Sequence, residues 1–162
     1  MGLFSRKTEL PAVSENGLSP DFGEPYDGHT RAPGGECLDA ARDPWNRDEY
    51  AKAQRLVERA LKAGLEDYDR SVAYDLLGQI HLANGRLGAA VAEFLKCLSC
   101  PTKSRDHTWS AGFRLMLIYQ EAGRHEDVVK IGRLVEATGV DHALTGHGVK
   151  RLRKLARSHG VV

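Results

Sequence analysis

What this 162-residue sequence has little of narrows its reading first. It has three cysteines, Cys37, Cys97 and Cys100, too few and too unevenly spaced to staple a small secreted domain. No apolar run approaches the roughly 20 residues needed to cross a bilayer, so no membrane span is expected. The opening MGLFSRKTEL lacks the apolar core of a secretory signal, and Arg6 stands where a myristoylation signal carries Ser or Thr. The expectation is a cytoplasmic protein. Charge of one sign is also missing: 23 Lys and Arg meet 22 Asp and Glu, a formal net charge of +1. The whole chain therefore does not select nucleic acid, a membrane surface or an acidic substrate, and any electrostatic recognition must be local.

Proline is scarce beyond position 44. Five of the six prolines (Pro11, Pro20, Pro25, Pro33, Pro44) lie at or before it, among Gly17, Gly23, Gly28, Gly34 and Gly35. Proline removes a backbone donor and glycine raises the entropy lost on ordering. No 3.6-residue apolar period runs through this stretch. Residues 1–42 are therefore expected to form a flexible Gly/Pro-rich segment, with a short helical turn at 36–41 and a stretch at 18–26 able to dock on the folded part. Residues 43–162 are expected to form a helical domain.

From residue 43 the pattern is helical. Asp43-Pro44 offers a cap and a residue favoured in the first turn, and Asn46 with Glu49 offers a second cap pair. Tyr50, Ala53, Val57, Ala60 and Leu61 recur at three and four. Further helices are predicted over 69–84, 87–99, 107–122, 126–137 and 143–158, broken by Gly85, Pro101, Gly123 and Gly139. No segment alternates as a strand does between hairpin turns. The predicted class is all-α.

Two of these helix–Gly–helix units align. The first reads Tyr74-x-x-Leu77-Gly78-x-x-His81-x-x-x-Gly85, then Ala90-x-x-x-Phe94-x-x-Cys97-Leu98. This pattern resembles the tetratricopeptide repeat, departing from it at His81 and Cys97. The second unit keeps Leu115, Tyr119, Gly123 and Val128, but Gly112 and Gly132 stand where aromatics are expected and Met116 replaces the small glycine. The turn glycines are 38 residues apart rather than the family's 34. The resemblance covers about residues 45–140. It implies antiparallel helical hairpins stacked as a short right-handed superhelix. The helix at 45–63 would be left over from an incomplete repeat, and the helix at 143–158 would be a C-terminal cap.

It also implies a function: a non-enzymatic adaptor holding a peptide or helix of another protein in a concave groove. The groove positions carried across are Asp75, Gln79, Leu82 and Ala83 from the first unit, and Ser110, Phe113, Leu117, Gln120 and Glu121 from the second. Phe113 and Leu117 read equally well as core, and the N-terminal segment itself is a possible occupant.

Catalytic and metal chemistry find little support. Cys97-x-x-Cys100 sits at a predicted helix C-terminus, where the helix dipole opposes a thiolate. Two further zinc ligands at recognisable spacing are not apparent, and packed structural thiols are the simpler reading. The seven histidines form no HExxH pair; His81, in an aromatic's place, is expected to be packed and hydrogen-bonded. No cofactor or metal is expected. The basic residues Lys150, Arg151, Arg153, Lys154 and Arg157 carry no acid among them, beside an apolar stripe of Val149, Leu152, Leu155 and Ala156. A solvated capping helix explains them; the alternative is contact with an acidic partner or nucleic acid, although no aromatic interleaves them as a stacking platform.

Overall fold

Two stretches of this sequence fold into the same object. In the computed structural model, which describes residues 10–24, 31–140, 150, 153–154 and 156–158, α4 (Asp67–Ala83) and α5 (Leu87–Ser99) form one hairpin, and α6 (Arg105–Glu121) and α7 (His125–Ala137) another. Each pairs a 17-residue helix with a 13-residue one. Ahead of them lie α1 (Gly35–Ala40), α2 (Arg42–Asn46) and α3 (Tyr50–Ala63). Among the described residues there is no strand, only a parallel bridge between Phe22 and Lys103. The protein is all-α, and no helix among these residues is long and apolar enough to cross a membrane.

The hairpin turns are built alike. Gly85 and Gly123 adopt φ of 72° and 73°, a left-handed conformation that glycine takes without steric penalty. Arg86 N–H then donates to His81 C=O at 2.8 Å and Gly85 N–H to Leu82 C=O at 3.0 Å. In the second hairpin Arg124 N–H donates to Tyr119 C=O at 2.9 Å and Gly123 N–H to Gln120 C=O at 3.0 Å. Both are Schellman closures, in which two orphan carbonyls of the helix end are satisfied together.

Packing between the helices of each hairpin follows from one pair of positions. In the first hairpin Gly78 lies under the Phe94 ring: a Cβ placed there would stand 2.3 Å from Cε1. In the second, the equivalent pair is Met116 and Gly132, and a Cβ on Gly132 would stand 3.3 Å from Met116 Cε. The large and small partners have exchanged helices. The apparent departures at Met116 and Gly132 thus conserve the contact, because one bulky and one vanishing side chain fill the same layer.

Two cores result. One joins α5, α6 and α7 through Phe94, Leu98, Leu115, Ile118 and Ile131, and also takes in Leu10 and Val13. The other joins α1, α3 and α4 through Leu38, Ala41, Val57, Ala60, Ala73 and Leu77.

In the N-terminal stretch the helical turn expected at 36–41 is α1, and Leu18 and Phe22, within the stretch expected to be able to dock, do pack on the folded part. The rest is less loose than expected. Leu10 and Val13 are 3% and 4% exposed, and Leu18 and Phe22 pack beside them. The boundary placed between 42 and 43 falls inside the helical region, at the start of α2, whose Pro44 sits in the first turn where its missing N–H is harmless. The helix expected over 45–63 is interrupted: α2 ends at Asn46, Asp48 takes φ 60°, and α3 starts at Tyr50. Glu49 does stand at the cap position but makes no side-chain cap bond. The helix expected over 143–158 lies largely outside the described residues; Lys150, Arg153, Lys154, Ala156, Arg157 and Ser158 are helical, and Ala156 is buried in the first core.

His81 differs as well. Its ring is half-buried and Nδ1 has no hydrogen-bond partner among the described residues. Burial pushes its pKa below the ordinary value and Arg86 adds to the depression, while Glu93 and Glu58 oppose it. The folded state therefore keeps His81 neutral where the unfolded chain takes up a proton, so stability is lost as pH falls through the ordinary histidine range.

Three outcomes are expected in urea unfolding. Gly78→Ala should destabilise by about 1–3 kcal/mol because Phe94 has nowhere to move. Gly132→Ala should be neutral or stabilising by up to about 1 kcal/mol, since helix propensity rises and Met116 is flexible; the opposite order would refute the shared register. His81→Phe should stabilise by about 1 kcal/mol at pH 5.5 and by less at pH 7.5. An equal gain at both values would show that its proton is not involved.

Candidate functional site

The structure brings some of the expected groove residues together and buries others. Because α4 packs directly on α6, the inward positions of the two helices meet each other rather than solvent. Asp75 is fully buried, and Leu82 and Leu117 are buried as well. Ser110, Gln79 and Phe113 are half-buried, and Gln120 is exposed. Phe113 stacks on Trp109 with ring centroids 5.3 Å apart. The expected groove is thus largely closed by the docking of one hairpin on the next.

What the two helices build instead is a buried polar network. The Asp75 carboxylate accepts from Gln79 Nε2 at 2.9 Å and Ser110 Oγ at 3.3 Å, and lies 2.7 Å from His107 Nδ1. Arg114 donates to Ser110 Oγ at 2.5 Å and to Gln79 Oε1 at 3.4 Å. Burial lowers the pKa of Arg114 while the Asp75 charge raises it. Ser110 and Gln79 therefore bridge a buried anion and a half-buried cation that do not touch. Residue type and spacing gave no warning of His107 or Arg114; both face Asp75 only after the two hairpins dock.

Chemically the network positions rather than activates. Ser110 Oγ bonds the carboxylate and not the imidazole, so no serine–histidine relay exists to raise its nucleophilicity. Cys97 and Cys100 are buried, with their Sγ atoms 3.7 Å from His107 C=O and 3.4 Å from Lys96 C=O. Burial pushes both thiols up, which opposes the thiolate that metal binding or redox chemistry needs. No group of three or more His, Cys, Asp and Glu among the described residues is placed to hold a metal ion.

Beside the network opens a cleft of about 630 Å³. Leu38, Arg42 and Trp45 of α1–α2 form one wall, and Val72, Leu76 and Gln79 of α4 the other. Ser104 and His107 of the α6 entrance close one side. Gln79 is the one residue shared with the groove expected from sequence. Arg31 holds the walls at their separation: its Nε lies 2.9 Å from Asp69 on α4 and its Nη1 2.6 Å from Asp39 on α1. These two carboxylates, Asp69 first, raise the pKa of Arg31 further above its ordinary value. Arg42, by contrast, makes no ion pair among the described residues.

Of the C-terminal basic residues, Lys150, Arg153, Lys154 and Arg157 are exposed, and Arg151 lies outside the described residues. Arg153 Nε is 3.1 Å from Glu121. The chain matches no family model, no curated protein and no solved structure.

Asp75→Ala should lower stability by about 2–3 kcal/mol, because three part-buried partners, Gln79, His107 and Ser110, lose the carboxylate they share. Ser110→Ala, which deletes one donor, should lower it by about 1 kcal/mol or less. Equal losses in urea titrations would show that the carboxylate is not the centre of the network.

Proposed function

We propose that this chain is a non-enzymatic interaction module of tetratricopeptide type, an adaptor whose cleft between α1–α2 and α4 takes a short segment of a partner protein. The observation that carries this reading is the composition of the cleft. Leu38, Val72, Leu76 and Trp45 offer apolar contact, and Arg31, Arg42, Asp39, Asp69 and Asp106 place charges of both signs around them. That combination suits a peptide with one or two apolar side chains flanked by polar or charged groups. The common hairpin register and the exchanged Gly78–Phe94 and Met116–Gly132 pairs support the family reading. On that reading α1–α2 stand in for the first helix of an incomplete preceding hairpin, and the stacked hairpins form a short right-handed superhelix.

The alternative is a basic C-terminal helix that meets nucleic acid or an acidic partner. With Arg153 engaged by Glu121, it has Lys150, Lys154 and Arg157 to act with.

Selection of a random dodecapeptide display library on the immobilised full chain separates the two. We expect enriched peptides with clustered apolar residues. Their binding should weaken at least about tenfold in Val72→Glu or Leu76→Glu protein and stay unchanged when Lys150, Lys154 and Arg157 become Gln. With Trp109→Phe in the background, bound peptide should also shift Trp45 emission. No enrichment, or peptides sensitive to the lysines and not to Val72, would refute the cleft.

A further inference from the structure

The cleft is not the one place where this fold handles an extended segment. We infer that residues 10–24 are an intramolecular peptide ligand, and that the surface they occupy on α7 and the adjoining ends of α5 and α6 is a second docking groove. The segment is irregular apart from a 3-10 turn at Glu15–Gly17, and its partner class is a polypeptide with apolar residues three positions apart.

The inference rests on how the segment is held. Arg124 Nη1 donates to Leu10 C=O at 2.7 Å, and Tyr119 OH to Pro11 C=O at 2.5 Å. Val13 N–H donates to Asp127 Oδ1 at 2.9 Å, and Lys130 Nζ to Val13 C=O at 3.3 Å. Farther along, Lys103 Nζ donates to Ser19 C=O at 2.5 Å, and the Lys103 main chain bonds Asp21 C=O at 3.1 Å and Gly23 N–H at 3.0 Å. Among the described residues, every one of these hydrogen bonds ends on the main chain of the segment. Its side chains contribute two buried anchors, Leu10 and Val13, the partly buried Leu18 and Phe22, and an exposed Glu15–Arg133 pair at 3.8 Å. Main-chain bonds for affinity and spaced apolar pockets for selectivity are how peptide grooves recognise extended ligands. Such recognition does not depend on which chain supplies the segment.

The receiving side is built for an occupant. Tyr119 is fully buried and Asp127 is 4% exposed, its other oxygen fixed by Arg124 at 2.7 Å. Lys103 is fully buried, and its desolvation lowers its pKa. The segment supplies their hydrogen-bond partners and takes them out of water. The segment also fits loosely in one place: an open space of about 230 Å³ remains between Leu18, Pro20 and the α7 residues Lys130, Arg133 and Leu134. Ser14 and Asn16 are exposed.

The test keeps the full chain. A site-specific protease sequence is inserted between Glu24 and Arg31 and cut after purification, and a labelled synthetic peptide of residues 10–24 is added. We expect the cut protein to keep its helical circular dichroism and to bind the peptide saturably by fluorescence anisotropy. A peptide with Leu10→Ala and Val13→Ala should bind at least about tenfold more weakly, and one with Ser14→Ala and Asn16→Ala within about twofold. Tyr119→Phe protein should bind the unaltered peptide several-fold more weakly. The inference is overturned if the cut chain loses its helical signal, or if the severed segment never exchanges. It is equally overturned if a scrambled peptide or the Leu10/Val13 variant binds as well as the native sequence.

Discussion

The Asp75 carboxylate is taken wholly out of water between α4 and α6, and the arrangement of the protein follows from how it is satisfied. A buried anion is costly unless its oxygens are hydrogen-bonded and charge is balanced nearby. Gln79 supplies one bond from its own helix, and His107 and Ser110 supply the others from the next hairpin. Arg114 then returns a positive charge through those same intermediates. These bonds cannot be made if the second hairpin slides along the first. The network thus sets the docking register, and by placing His107 and Ser104 it sets one side of the cleft.

With the register set, the two hairpins read as one unit used twice. The helix lengths, the Gly-Arg turns and the layer between helices repeat at an interval of 38 residues. This much was legible in the sequence from the periodicity of apolar residues and from Gly85 and Gly123. The second unit looked eroded because pattern matching compares positions singly. Met116 and Gly132 each violate the pattern alone, but together they restore the volume that Gly78 and Phe94 share.

The site was far less legible, for physical reasons. Asp75, Gln79 and Ser110 were correctly placed on facing helices, yet an open groove was expected where the helices close on each other. Which of two inward faces stays open depends on inter-hairpin distance, and no local pattern records that. The wall of the cleft comes from α1–α2, short helices in a Gly/Pro-rich stretch that pack Leu38 and Ala41 against α3 and α4 and are bridged to α4 by Arg31. Residues 10–24, irregular apart from the 3-10 turn at Glu15–Gly17, carry no periodic signal at all. They are ordered by side chains more than a hundred positions away, such as Tyr119, Arg124 and Asp127, so composition alone reads them as flexible.

Hydrogen–deuterium exchange on Asp75→Ala, read segment by segment, tests the role of the buried carboxylate most directly. If Asp75 joins the hairpins, amides in the first turns of α6, from Arg105 to Ser110, should exchange about tenfold faster or more. Amides within α5 and around the Gly85 turn should keep their protection, because each hairpin retains its own core. Uniform loss of protection across both hairpins, or no change in α6, would contradict the account.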